Sequence, residues 1–130
     1  MPEAREKTIL LVEDEPVMLK LLVEGFKSAG FNVLQGKDGA EGVEAAASGH
    51  PDLIILDLGM PKMDGMTAMR KIRETDWGKK VPIIILTNYS ANDEIMTGVI
   101  RDEPSYYFMK TEWEIDKLLE KVKQELQINP

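Results

Sequence analysis

Leu10-Leu11-Val12 runs directly into Glu13-Asp14-Glu15-Pro16, so three consecutive carboxylates close an apolar stretch. Similar endings recur downstream. Asp57 follows the run Asp52 to Leu56 and opens Asp57-Leu58-Gly59-Met60-Pro61-Lys62-Met63-Asp64-Gly65, Thr87 follows Val81 to Leu86, and Lys110 follows Ser105 to Met109. Carboxylates gathered in one crevice repel and raise each other's pKa unless a cation compensates. Oxygen ligands with no histidine or cysteine beside them suit a hard cation, and a site with few carboxylates and room for water suits Mg²⁺. A carboxylate next to such an ion can attack phosphorus and form an aspartyl phosphate. The metal and a lysine then neutralise the developing charge while a hydroxyl donates to a phosphoryl oxygen.

That chemistry requires the separate stretches to meet at one edge of the fold. Thr8 to Val12 is a continuous apolar run of the kind buried on both faces of a parallel sheet. Pro16 to Ala29 places Val17, Leu21, Leu22 and Phe26 at helical spacing, and Gly30 stands where a helix ends. Asn32 to Gln35 reads as a second strand, Gly39 to Ser48 as an alanine-rich helix, and Asp52 to Leu56 as a third strand. A helix follows over about Gly65 to Glu74, then a strand over Val81 to Leu86, a short helix over about Asn92 to Ile100, and a strand over Ser105 to Met109. Thr111-Glu112-Trp113-Glu114 has the form of a capping box opening a last helix to about Gln127, with Ile115, Leu118, Leu119, Val122 and Leu126 as its inward stripe. Strands alternating with helices predict an α/β fold, an open parallel sheet of five strands covered on both faces by five helices. Its functional crevice lies at the carboxyl ends of the strands, where strand order reverses. Glu13, Asp14, Asp57, Thr87 and Lys110 all fall at such ends.

Composition narrows the remaining classes. The 130 residues suit one domain, and 43% hydrophobic with 30% charged residues is a globular composition. A formal net charge of −7 without a basic patch argues against direct nucleic-acid binding. The apolar runs are far shorter than the roughly 20 residues of a membrane span, and the charged start MPEAREK lacks a signal-peptide core. A cytoplasmic protein is expected. No cysteine is present, which excludes disulfide and thiolate chemistry.

Each candidate residue also has a plainer use. An acidic pair after a strand suits a helix N-terminus, Asp57 suits a loop cap, Thr87 a helix cap, and Lys110 a solvated charge. Their conjunction at four strand ends favours the chemical reading. Met60, Met63, Met66 and Met69 recur every third residue, but without cysteine and with a single histidine in the chain they read as core packing rather than a soft-metal site. His50, before Pro51 at a helix exit, reads as a surface residue rather than a phosphoryl carrier.

Taken together, these residues resemble the receiver domain of two-component response regulators, from about Lys7 to Gln127, with the D-x-x-M-P-x-M-D-G pattern intact from Asp57 to Gly65. The resemblance implies a flavodoxin-like, doubly wound sheet of order 2-1-3-4-5, an arrangement of which this same family is a well-known example. It implies Asp57 as phosphoacceptor, Asp14 as direct Mg²⁺ ligand, Glu13 as an acid holding the metal largely through water, and the Gly59 backbone carbonyl as a further ligand. Thr87 is implied as the hydroxyl that senses the phosphoryl group, Lys110 as the lysine that pairs with it, and Tyr107 as the switch aromatic. The implied partners are a histidine kinase or histidine phosphotransfer protein and a downstream protein, with no nucleic acid and no membrane. Monomer and phosphorylation-linked dimer both fit. The expected unit is a single receiver domain over residues 1–130 with no effector domain in the chain.

Several positions depart from the pattern. Asn88 replaces the usual small residue after the threonine, Thr111 replaces the proline after the lysine, and Glu103-Pro104 replaces Gly-Ala before the last strand. Gly59 and Tyr89 occupy positions that tune dephosphorylation in the family. The departures keep alive a pseudo-receiver, a binding module that uses the same face without phosphorylation. A turnover phosphatase of the haloacid-dehalogenase type fits poorly, because Gly59 stands where its second acid belongs.

Overall fold

Three strands form where apolar residues run without interruption, Thr8–Val12, Leu53–Leu56 and Ile83–Thr87, and the chain places each of these runs inside the sheet. The structure is a computed structural model that describes residues 7–60, 62–87, 106–110 and 114–127. In chain order the elements are β1 (Thr8–Val12), α1 (Pro16–Ser28), β2 (Asn32–Gly36), α2 (Gly39–Gly49), β3 (Leu53–Leu56), α3 (Gly65–Arg73), β4 (Ile83–Thr87), β5 (Tyr106–Met109) and α4 (Ile115–Glu125). The sheet has five strands in the order β2-β1-β3-β4-β5, and every pairing is parallel. This is the flavodoxin-like order expected. Four helices fall among the described residues; the helix expected over 92–100 lies outside them, as do Asn88, Tyr89, Glu103-Pro104 and Thr111.

Pleating divides the strands' side chains between two core layers. Ile9, Leu11, Leu53, Ile55, Ile84 and Leu86 pack with Leu19, Leu22 and Phe26 of α1 and Leu118 and Val122 of α4. Leu10, Val12, Ile54, Leu56, Ile83 and Ile85 pack on the other face with Ala46 of α2 and Ala68, Met69 and Ile72 of α3. All residues of β3 and β4 are buried, which is why they read as unbroken apolar runs. Phe26 is fully buried and tilts against Phe31 at 5.7 Å between ring centroids. Phe26→Ala is expected to cost about 3–5 kcal/mol of unfolding free energy, measurable by urea denaturation.

Two expectations need correction. In α1 the inward face is Leu19, Leu22 and Phe26, while Val17 is 74% and Leu21 54% exposed. The helix carries apolar residues on more than one face, so spacing alone does not select the face that meets the sheet. At α4, Glu114 is extended (φ −134°, ψ 146°) and is itself the N-cap, without a side-chain capping bond. It is therefore not the third helical residue of a capping box opened at Thr111. The stripe behind it is as expected, since Leu118 and Val122 are buried and Ile115, Leu119 and Leu126 pack around them.

The other helix ends follow local chemistry. Pro16 occupies the first turn of α1, where the missing N–H costs nothing. Gly30 has φ 98° and its N–H donates to the Lys27 carbonyl at 3.0 Å, closing α1 in a conformation that favours glycine. Asp38 caps α2 by accepting from the Glu41 N–H at 2.8 Å, and the Glu41 carboxylate accepts from the Lys37 N–H at 2.9 Å. Met60 and Met69 are buried in the α2/α3 layer, with Met63 and Met66 packed against it, as core methionines should be. His50 is exposed and stacks on Trp77 at 4.8 Å. No described helix is long and apolar enough to cross a membrane.

Candidate functional site

Strand order reverses about β1, which sends the chain to β2 on one side and to β3 on the other. The crevice between their carboxyl ends is where a doubly wound sheet binds ligands. Ladder hydrogen bonds continue one residue past the strands and fix the backbone there. The Glu13 N–H donates to the Gly36 carbonyl at 3.0 Å, the Asp57 N–H to the Val12 carbonyl at 3.1 Å, and the Lys110 N–H to the Thr87 carbonyl at 2.8 Å. The apolar strands thereby set the positions of the polar residues that follow them.

Glu13, Asp14 and Asp57 each offer a carboxylate oxygen within 4.8 Å of the others. Glu13 and Asp57 are buried, Asp14 is more open, and Thr87 is fully buried at the end of β4. Lys110, only 8% exposed in its side chain, reaches across from β5 to these acids. Its Nζ lies 2.7 Å from Glu13 Oε1, 2.8 Å from Glu15 Oε1 and 3.2 Å from Asp57 Oδ2. The other Asp57 oxygen, Oδ1, accepts from the Gly59 N–H at 3.2 Å, and Glu13 Oε2 accepts from the Glu15 N–H at 3.1 Å.

Among the described residues one ammonium thus faces an excess of carboxylates. Burial pushes the Glu13 carboxyl up to about 7 against the hydrogen bonds from Lys110 and the Glu15 N–H, with the Asp57 charge adding to the rise. Burial works against the Lys110 ammonium, yet Glu13, Glu15 and Asp57 together hold it well above the usual lysine range. Tyr107, half-buried and packed on the α2/α3 layer, has its phenol raised by burial and then by the Asp57 charge.

The Asp64-Gly65 pair, although part of the motif, is structural. Asp64 caps α3 by accepting from the Thr67 N–H at 2.8 Å. The Gly65 N–H donates to the Leu58 carbonyl at 2.8 Å, and a Cβ on this residue would collide with the Asp57 carbonyl oxygen. Gly65→Ala is expected to cost about 1–3 kcal/mol and to displace the backbone under Asp57. Urea denaturation and the Asp57 amide shift check this; an unmoved amide with unchanged stability contradicts the contact.

The structure brings together Glu13, Asp14, Asp57 and Lys110, and places Thr87 at the end of the neighbouring strand and the Gly59 N–H against Asp57. In the sequence Glu15 reads only as the opening of the first helix, and its part as a Lys110 partner is missed. Strand alternation gave no signal for it, because the chain bends at Asp14 and the Glu15 N–H turns back onto the Glu13 carboxylate.

Residues 9–123 match the family model described as "Response regulator receiver domain". The chain is 31% identical over 121 residues to the "Uncharacterized transcriptional regulatory protein YkoG" of Bacillus subtilis, covering 93% of this chain and 51% of that protein. It thus spans about half the length of the curated relatives it matches. Among solved structures it is similar to a response regulator receiver domain protein (CheY-like) of Methanospirillum hungatei, with TM-score 0.85, 25% identity and coverage of 93% and 94% of the two chains. It is also similar to the receiver domain of sensor histidine kinase PA1611 from Pseudomonas aeruginosa, with TM-score 0.81, 30% identity and coverage of 91% and 95%. That structure holds a magnesium ion in its active site cleft.

Proposed function

The chain belongs to the response regulator receiver domain family of two-component systems, and on that premise we propose that it is a phosphorylation-dependent switch with Asp57 as its phosphoacceptor. Residues 1–130 are taken as one receiver domain working in the cytoplasm. The observation that carries the reading is the acid cluster Glu13, Asp14 and Asp57, set at the reversal point of the sheet against Lys110, the one ammonium that contacts it among the described residues.

The donors fit Mg²⁺: they are oxygens, close together, and more negative than Lys110 alone balances. Glu13, Asp14, Asp57 and the Gly59 carbonyl would hold the ion. When bound, it supplies positive charge beside the transferring phosphoryl group. Asp57 Oδ attacks the phosphorus of a phosphohistidine on a histidine kinase or histidine phosphotransfer protein. The new oxygen–phosphorus bond forms as the phosphorus–nitrogen bond breaks, and the departing imidazole takes up a proton. Lys110 pairs with the phosphoryl oxygens, and the Thr87 hydroxyl donates to one of them. Tyr107, which already senses the Asp57 charge, turns inward and changes the surface offered to a downstream protein. A monomer or a phosphorylation-linked dimer serves this scheme equally. Receiver domains are signalling domains rather than turnover enzymes; the retained acids, Thr87 and Lys110 argue against the pseudo-receiver alternative, and Asn88 and Glu103-Pro104 are what keep it alive.

Amide NMR with Mg²⁺, before and after beryllofluoride and beside an Asp57→Ala control, tests the proposal. Shifts at Asp57, Thr87 and Tyr107 in the wild type alone support it; binding of Mg²⁺ with no beryllofluoride response favours the pseudo-receiver.

Metal affinity should follow the Glu13 proton. Below about pH 7 Glu13 is protonated in the metal-free site, so binding must displace that proton and affinity falls by about tenfold per pH unit. Above that pH the dependence flattens. Calorimetric titrations with Mg²⁺ at several pH values, in buffers of different ionisation enthalpy, check both the slope and the released proton.

A further inference from the structure

Lys110 is held by three carboxylates, and two of them, Glu13 and Asp57, belong to the acid cluster of the site. Glu15 does not. Its side chain is 58% exposed at the N-cap of α1, yet it approaches Nζ as closely (2.8 Å) as the buried Glu13 does (2.7 Å). Its backbone N–H meanwhile donates to Glu13 Oε2 at 3.1 Å. Glu15 thus touches the site through both its amide and its carboxylate, one on Glu13 and one on Lys110.

We propose that Glu15 is a positioning residue for Lys110: it holds the ammonium whenever Glu13 and Asp57 are engaged elsewhere, and it competes with the phosphoryl group for that ammonium. The inference rests on the receiver reading above and concerns a residue that reading does not use. Any cation taken up by the acid cluster draws on Glu13 and Asp57, the same carboxylates that otherwise neutralise Lys110. Among the described residues in contact with Nζ, Glu15 then remains to receive it. A phosphoryl group on Asp57 must draw Lys110 away from Glu15 before the pair can form. Glu15 therefore sets a threshold for switching. Because Glu15 is open to solvent, the hold is modest, in the range of an exposed ion pair.

The test compares wild type, Glu15→Gln, Lys110→Met and the double variant, with Mg²⁺ and beryllofluoride as probes. In Mg²⁺-saturated wild type, ¹⁵N NMR should show the Lys110 ammonium protected from exchange, and Glu15→Gln should abolish that protection. At saturating Mg²⁺, Glu15→Gln should bind beryllofluoride about two- to fivefold more tightly, the fold-change corresponding to an exposed ion pair. A lost negative charge alone would also favour an anion, so the cycle decides the cause. In the Lys110→Met background the Glu15→Gln gain should vanish. Persistence of the gain there, or unchanged ammonium exchange in Glu15→Gln, overturns the proposal while leaving the receiver reading intact. Failure of the wild type itself to bind beryllofluoride removes that reading, and this inference with it.

Discussion

Asp57→Ala is expected to cut phosphoryl uptake by more than about a thousandfold, the scale at which removal of a nucleophile acts, while leaving the protein folded. The two buried acids are engaged alike, Glu13 with one oxygen on the Lys110 ammonium and the other on the Glu15 N–H, Asp57 with one on Lys110 and the other on the Gly59 N–H. The fold survives because the backbone at this position is fixed by the Asp57 N–H on the Val12 carbonyl, a bond that alanine keeps. Removing a negative charge from an acid-rich cluster should leave the metal-free variant at least as stable as the wild type. It should also lower the Glu13 carboxyl from about 7, since the Asp57 charge is one cause of its rise. Labelling with a radioactive phosphodonor reads uptake, and ¹³C NMR of the Glu13 carboxyl reads the second effect. Uptake persisting at the wild-type rate would remove Asp57 from its role.

Much of this site is legible in the sequence because three of the strands that carry it, β1, β3 and β4, are buried on both faces. Such strands appear as unbroken apolar runs, and the residue after each run marks the sheet's edge; Glu13 and Asp57 stand out in that way. The order of strands is not contained in any one run, and it is resemblance that implies the order the sheet displays. Helix faces are less legible. α1 has apolar side chains on several sides, and only packing against Leu11 and Ile55 selects Leu19, Leu22 and Phe26 over Val17 and Leu21. The expected capping box at Glu114 fails for a related reason: a four-residue pattern does not state where the chain leaves its extended conformation. Glu15 is easily passed over because its local use, opening a helix, is sufficient. Its second use depends on Lys110, 95 residues away.

Lys110→Ala is expected to destabilise the metal-free protein by about 3–5 kcal/mol at pH 8, the cost of removing one partner from a buried ion pair. Glu13 and Asp57 are buried, and Lys110 contacts both. The loss should depend on pH in a direction that follows from Glu13. In the wild type its folded carboxyl stands at about 7, above the ordinary 4.5, so the native state binds the proton more tightly and stability declines as pH rises between those values. Without the Lys110 hydrogen bond, which lowers that carboxyl, the variant's Glu13 must rise further. Its decline then continues above pH 7, where the wild type has levelled off. The deficit should therefore be smallest below about pH 7 and grow above it. Mg²⁺ should restore part of the lost stability, because a cation that binds only the native state stabilises it by mass action. Function should not return with it, since the phosphoryl group loses its pairing lysine. Urea melts of wild type and variant across pH, with and without Mg²⁺, test the stability claims, and beryllofluoride-induced shifts at Tyr107 test the coupling. A deficit that stays constant with pH would mean that the acids are relieved by water rather than by Lys110, and the electrostatic account of the crevice would have to change.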